Sequence, residues 1–142
     1  MTKLYTPEIL SLAVSLADHP RLSAPDASAE ARSRTCGGTL TLDLALDAED
    51  RVEGLGLAVS ACAIGQAAAA VFAQAAPGHT PEEMRASLKG IEAWLADEGA
   101  QLPDWPGFAV LEPARAFPGR HGAILLPWRA ATDALCKAGQ PR

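Results

Sequence analysis

Residues 36–64 read CGGTLTLDLALDAEDRVEGLGLAVSACAI, and this stretch decides the fold. From Thr39 onward polar and apolar residues alternate, so that four leucines share one face: Leu40, Leu42, Leu44 and Leu46. A period of two is typical of a strand with one buried and one solvated face. We therefore predict a half-buried strand here, with Asp43 on its solvated face.

A hairpin is predicted from the residues that follow this strand. Residues 47–50 are polar and suit a turn, and residues 52–59 can return as an antiparallel partner. Gly54 and Gly56 count against the second strand, because glycine has no side chain to pack in a sheet. Glu53 is assigned to a solvated strand face.

Helical patterns flank the hairpin on both sides. Thr6 and Pro7 suit the start of a first helix over residues 7–17. The alanine-rich residues 63–76 suit a helix packed closely against a sheet. A capping box at residues 80–83 predicts the start of another helix, since its threonine and glutamate can each satisfy a free backbone N–H.

The remaining segments complete one α+β domain over residues 1–142. Residues 19–35 contain two prolines and few large apolar residues, which predicts a surface loop, and residues 101–120 contain four prolines, which predicts an irregular segment. One face of a last helix is formed by Ile124, Trp128, Ala131 and Leu135. Pro127 is expected only within the first turn of that helix, because proline lacks a backbone N–H.

Composition narrows the classes of function. The chain has 142 residues, 49% of them hydrophobic, and a net charge of −5, so it suits one globular domain and lacks the basic field that attracts nucleic acid. We find no signal peptide at the start and no apolar run of about 18 residues, so we expect a cytoplasmic protein outside the membrane. Three cysteines, an odd number, favour free thiols or metal ligands over a disulfide framework.

Two of the cysteines and one histidine are candidates for metal binding. Cys36 precedes two glycines and a strand, where the backbone can approach a bound ion closely. Cys62 precedes a helix, whose positive end favours the thiolate that binds metal. His121 could join them, but no Cys-x-x-Cys or His-x-x-x-His pair is present, and the spacing equally suits a buried Cys62 and an exposed His121. Cys136 is assigned a structural role near the C-terminus.

Five features follow one another along the chain: Cys36-Gly37-Gly38, the alternating strand, Asp50-Arg51-Val52-Glu53, Ala61-Cys62-Ala63-Ile64 and His121-Gly122-Ala123-Ile124-Leu125. This set resembles the IscU, SufU and NifU N-terminal family of iron–sulfur scaffold proteins, over about residues 6–135. The resemblance implies a small antiparallel sheet covered by helices on one side. It implies that Cys36, Cys62 and His121 bind iron, a [2Fe–2S] cluster or zinc transiently. A cysteine desulfurase would then supply sulfur, and acceptor proteins would receive the cluster.

The chain departs from the family pattern at two ligand positions. Gly38 replaces the family aspartate, and the third ligand cysteine of the family has no counterpart here. Two alignments are possible for the position of that cysteine. If His121 is matched to the family histidine, Gly122 occupies the position. If residues 117–120 are matched without a gap to the SufU-like Phe-Pro-Ala-Arg, Ala123 occupies it. Two thiolates and one imidazole leave one ligand position of the cluster open. Water, a small thiol or the second subunit of a homodimer could fill it, so any cluster should be labile.

Three functions are compatible with these residues. The one we expect is a scaffold or carrier that binds iron or a cluster and is not an enzyme. The second is a metal-free regulatory paralogue that docks on the desulfurase or on a true scaffold. The third is an enzyme with Cys62 as nucleophile and His121 as base, for which the sequence has no local catalytic motif.

Overall fold

The structure is a computed structural model that describes residues 6–35 and 37–138. Three antiparallel strands form one sheet in the order β1-β2-β3. The strands and α-helices are, in chain order, α1 (Pro7–Ser15), β1 (Ala27–Arg32), β2 (Thr39–Leu46), β3 (Val52–Ser60), α2 (Ala63–Ala75), α3 (Pro81–Ala96) and α4 (His121–Ala138). Short 3-10 helices cover Leu16–Asp18, Phe108–Ala116 and Pro118–Arg120. The predicted α+β class is confirmed.

The predicted hairpin is present as β2 and β3. Its register runs from Thr39 opposite Ser60 to Leu46 opposite Val52, with an irregularity at the turn end. The Asp47 carboxylate accepts the backbone N–H groups of Glu49 and Arg51, each at 2.9 Å, which closes the turn. The exposed Glu53 lies on a solvated face, as predicted.

The predicted surface loop over residues 19–35 is wrong in its second half, because residues 27–32 form β1. This strand pairs with β2 along its whole length, from Ala27 opposite Leu44 to Arg32 opposite Thr39. Its inward residues are alanines, which are too small to give a clear alternating pattern. Pairing with the neighbouring strand therefore decides a conformation that local sequence leaves open.

Helix α4 covers the inner face of the sheet. It packs across β1 and β2 and also against α2 and α3. Leu40, Leu42 and Leu44 are 0% exposed on that inner face, so the leucine stripe read from the sequence is the sheet's contribution to the core. Within the described residues, no helix combines the length and apolar character that crossing a membrane requires.

The predicted position of Pro127 is wrong by about one turn. Helix α4 begins at His121, directly after the 3-10 helix Pro118–Arg120, so Pro127 lies beyond the first turn. A proline there cannot donate to the carbonyl four residues earlier, that of Ala123. The helix continues because its surroundings are packed: Pro127 and Trp128 are both buried.

The proline-rich segment over residues 101–120 is more ordered than predicted. Trp105 is buried and donates its indole N–H to the Val71 carbonyl at 3.0 Å. The Arg115 guanidinium donates to the backbone carbonyls of Trp94 and Asp97 and so satisfies the end of α3. These tryptophan and arginine contacts join the segment to α2 and α3, a role that local propensity does not reveal.

The prediction that Asp43 is solvated is wrong. Asp43 lies on the outer face of the sheet, but it is 0% exposed. The Arg21 guanidinium donates two hydrogen bonds of 2.9 Å to its carboxylate. The Leu22 N–H and the Ser28 hydroxyl donate two more, at 3.0 and 2.6 Å. Hydrogen bonding from Arg21 is the main cause that lowers the pKa of Asp43 from its ordinary 3.8 to about 2. Asp43 thus fastens residues 21–22 across the sheet.

We expect Asp43→Asn to lower the free energy of unfolding by about 2 kcal/mol at neutral pH, because the amide cannot replace a carboxylate that accepts four hydrogen bonds. Since the folded pKa is depressed, this contribution is present above the unfolded pKa and is lost as the pH falls from about 4 towards 2. Denaturant unfolding at pH 7 and in acid measures both effects. Glu53→Gln, an exposed carboxylate on β3, is the control; an equal effect in both variants would contradict the role of Asp43.

Candidate functional site

The loop between β1 and β2 carries the first candidate ligand. Cys36 itself lies outside the described residues. The Ser33 N–H donates to the Gly38 carbonyl at 2.8 Å, and the Gly37 N–H donates to the Ser33 carbonyl at 2.9 Å. Gly37 has a φ of 71°, in the left-handed region where glycine is favoured. The loop is therefore closed at its base by two backbone hydrogen bonds.

Cys62 lies at the junction between β3 and α2, as predicted. It is the N-cap residue of α2, with extended backbone (φ −65°, ψ 171°), and it is half-buried. Ser60, at the end of β3, pairs with Thr39 at the start of β2. The strand pairing thus places the Cys62 junction at the same end of the sheet as the loop that contains Cys36.

The start of α4 reaches this end of the sheet as well. The Thr35 hydroxyl donates to the Gly119 carbonyl at 3.2 Å, which joins the β1–β2 loop to the residues before α4. On the other side, Ala123 approaches α2: its Cβ lies 3.5 Å from the place where a Cβ on Gly65 would stand. Three segments therefore meet here, namely the 33–38 loop, the start of α2 and the start of α4.

His121 is the first residue of α4, and its ring contacts the backbone of Arg115. Its Nε2 lies 2.6 Å from the Arg115 carbonyl oxygen. A carbonyl only accepts hydrogen bonds, so Nε2 is the donor, and the tautomer with its proton on Nε2 has its lone pair on Nδ1. The ring also lines a groove with Leu95 and Pro118, between the end of α3 and the 3-10 helices. Within residues 6–35 and 37–138, no group of three or more His, Cys, Asp or Glu side chains is arranged to hold a metal ion.

Cys136 does not take part in this arrangement. It is exposed in the last turns of α4, near Leu46 and Asp50 at the turn end of the β2–β3 hairpin. That end of β2 is opposite to the end where Cys62 lies. Cys136 therefore offers a cysteine control for experiments on the candidate site.

The two positions considered for the missing cysteine differ in their surroundings. A Cβ on Gly122 would lie 2.5 Å from the Ser33 Oγ and 3.4 Å from the Thr35 Oγ1, so that space is taken. Ala123 already has a Cβ; it is fully buried, and it faces Gly65, three residues after Cys62. Position 123 therefore already holds a side chain and lies beside the Cys62 junction, whereas a side chain at position 122 requires the Ser33 hydroxyl to turn away.

Sequence reasoning missed Ser33 and Thr35. Ser33 is 1% exposed although it is polar, and its hydroxyl lies 3.2 Å from that of Thr35. The one signal available was a pair of hydroxyl residues shortly before Cys36. That signal is weak, because serine and threonine are ordinary loop residues.

Comparison with known proteins gives structural matches only. No protein-family model and no curated protein matches the chain. A crystal structure of a nitrogen-fixing NifU-like protein (N-terminal) from Brucella abortus is similar to it with a TM-score of 0.83 and 31% identity, over 95% of this chain and 94% of that one. A proposed iron–sulfur cluster assembly scaffold protein for the SUF system of Fervidobacterium islandicum shares the fold with a TM-score of 0.79 and 22% identity, over 93% and 96% of the two chains.

Proposed function

The chain belongs to the IscU/SufU/NifU N-terminal-like family, and from this premise we propose that it is a scaffold or carrier in iron–sulfur cluster assembly. The observation that carries the proposal is the 31% identity to a NifU-like protein over nearly the whole of both chains. The segment that carries Cys36, the Cys62 junction and the start of α4 meet at one end of the sheet, which supports a shared site. The function is binding and transfer of a cargo, not catalysis of a bond-breaking reaction.

In this proposal Cys36 and Cys62 supply thiolates, and His121 supplies the third ligand through Nδ1. The hydrogen bond from Nε2 to the Arg115 carbonyl fits that role, because metal-binding histidines usually donate their other N–H to a backbone carbonyl or carboxylate. With three ligands, the site would hold iron or a [2Fe–2S] cluster loosely and release it to an acceptor. Zinc is the alternative cargo, since three protein ligands and one open position suit it.

The sulfur for a cluster would come from a cysteine desulfurase, which is the partner that the proposal requires. Because the family's third ligand cysteine has no counterpart here, the sulfur would pass to Cys36 or Cys62. Cys62 is half-buried at the start of a helix, where a partner can reach it without unfolding the core. The cluster would then leave to acceptor proteins of the same assembly route.

We expect protein purified without air to contain near-stoichiometric iron with sulfide, or zinc, and the Cys36→Ser, Cys62→Ser double variant to retain about tenfold less. Serine replaces a soft thiolate with a poor ligand for these metals while keeping the size of the side chain. Metal analysis and labile sulfide assays measure the difference. Cys136→Ser is the matched control, because Cys136 is exposed at the opposite end of the sheet.

One result would replace the proposal with the metal-free paralogue. In that case the wild-type protein contains no metal and takes up no cluster from iron, sulfide and desulfurase. Direct binding to the desulfurase that is unchanged in the double variant would then identify the docking function. A double variant that retains as much metal as the Cys136→Ser control would instead move the site elsewhere on the chain.

A further inference from the structure

We propose that Ser33 and Thr35 are positioning residues that clamp the Cys36 loop onto the start of α4, and that this clamp controls the reactivity of Cys36 and its hold on metal. The inference about metal rests on the proposed function; the inference about reactivity does not. Neither residue is assigned as a ligand. Their role is to fix the segment on which a ligand is carried.

The clamp is a chain of hydroxyl groups with a defined direction. Thr35 has one hydroxyl hydrogen and donates it to the Gly119 carbonyl at 3.2 Å. The Ser33 hydroxyl, 3.2 Å away, is then the donor to the Thr35 oxygen. The chain therefore runs from Ser33 through Thr35 to the residues before α4. Ser33 is 1% exposed, so water cannot readily replace its part of the chain.

Gly122 makes the space that the clamp needs. A Cβ on Gly122 would stand 2.5 Å from the Ser33 Oγ, closer than side-chain atoms normally approach. The Ser33 hydroxyl thus occupies the volume of a side chain at the start of α4. The clamp in its present form therefore requires glycine at position 122.

The loop backbone extends the effect of the clamp to Cys36. Thr35 is held by Gly119 on one side of Cys36, and Gly37 is held by the Ser33 carbonyl on the other. One chain neighbour of Cys36 is thereby bonded to the residues before α4, and the other is bonded to the base of the same loop. Groups of this kind, which orient a metal ligand without contacting the metal, typically change metal affinity about 10- to 100-fold when removed.

Cobalt(II) is the probe for the metal arm of the test. Thr35→Val removes the hydroxyl and keeps the shape, whereas Thr35→Ser restores the hydroxyl. We expect Thr35→Val to lose cobalt to a chelator about tenfold faster, with a shifted thiolate-to-cobalt absorption band, and Thr35→Ser to resemble wild type. Thr132→Val in α4 is the matched control, since the Thr132 hydroxyl has no hydrogen-bond partner within the described residues.

The second arm uses metal-free protein, so that failure of the proposed function leaves the clamp testable. Position-resolved alkylation compares Cys36 with Cys136 in the same chain. We expect Thr35→Val and Ser33→Ala to increase the relative rate at Cys36 roughly fivefold, and Thr35→Ser to leave it unchanged, because one net hydrogen bond of the clamp is lost.

The outcomes separate the two proposals. If wild-type protein binds no cobalt but Cys36 alkylation follows the hydroxyl at position 35, the clamp stands and the metal function fails. If Thr35→Val equals Thr35→Ser in both arms while remaining folded by circular dichroism, the clamp is overturned. Ser33→Ala provides the same decision should Thr35→Val fail to fold.

Discussion

Gly56→Ala is expected to lower the free energy of unfolding by about 3 kcal/mol or more, the largest stability effect that we predict. A Cβ on Gly56 would stand 2.3 Å from the Pro20 carbonyl oxygen and 2.8 Å from both the Arg21 Cα and the Leu22 N. These are backbone atoms, which cannot rotate away as the end of a flexible side chain does. Overpacking in a well-packed site costs about 1–3 kcal/mol, and here a whole segment must move.

The cost exceeds that of steric contact alone because the displaced segment carries other interactions. The Arg21 guanidinium and the Leu22 N–H both bond to the buried Asp43 carboxylate. The Leu57 N–H also donates to the His19 carbonyl at 2.9 Å, so the same segment satisfies part of the β3 backbone. Moving the segment weakens these bonds together.

Gly54→Ala is the matched control for this prediction. Gly54 lies two residues earlier on β3 and so shares a face with Gly56, but a Cβ there would meet only the Ala45 Cβ, at an ordinary 3.8 Å. We expect its effect to stay within about 0.5 kcal/mol. Chemical denaturation of both variants measures the difference. Equal stabilities would show that the segment across Gly56 moves aside at little cost.

Gly56 and Asp43 should also be coupled, because both act on the same segment. Residues that share partners show interaction energies of about 0.5–3 kcal/mol in double-mutant cycles. Once Gly56→Ala has displaced Arg21 and Leu22, little is left for Asp43→Asn to remove. The double variant should therefore lose less stability than the two single variants added together.

These glycines also show where sequence reasoning reaches its limit for the fold. The alternating leucines of β2 and the capping box of α3 carry their cause in neighbouring residues, and both were predicted correctly. The sequence pattern counts Gly56 against a strand, whereas its function is to let a distant segment cross closely. The alternating pattern predicts a solvated Asp43, because its partner Arg21 lies 22 positions away in sequence. Contacts of that range leave no local pattern.

In the candidate site, too, features set by neighbouring residues are predictable from the sequence, whereas contacts between distant residues are not. The placement of Cys62 between β3 and α2 followed from local pattern, and the structure confirms that position. The meeting of the 33–38 loop with the start of α4 depends on the Thr35 hydroxyl and on Gly122, and neither has a periodic signal. The direction of the His121 ring depends on Arg115, which the 3-10 segment places beside it. The role of each ligand stays a prediction that metal binding must test.

Ala123→Cys is expected to raise the affinity for zinc or cobalt on the order of 100-fold, because it would supply a third thiolate. Structural zinc sites bind with about 10–16 kcal/mol in total, so each of four ligands contributes about 3 kcal/mol, or roughly 100-fold. Position 123 lies beside the Cys62 junction, because its Cβ faces Gly65 at the start of α2. A cysteine is a small hydrophobe that a buried position accepts readily.

Gly122→Cys is the comparison that decides the matter. Its Cβ would stand 2.5 Å from the Ser33 Oγ, so a cysteine there must first displace Ser33 and disturb the Cys36 loop. We expect it to lower both stability and metal affinity, in contrast to Ala123→Cys. Competition with a chelator gives the affinities, and thermal unfolding shows that each variant is folded. If Gly122→Cys gains as much affinity as Ala123→Cys, position 122 is the site of the missing ligand and Ser33 yields to it. If only Ala123→Cys gains affinity, the gapless match of residues 117–120 is the correct one, and one substitution separates this chain from a three-cysteine site.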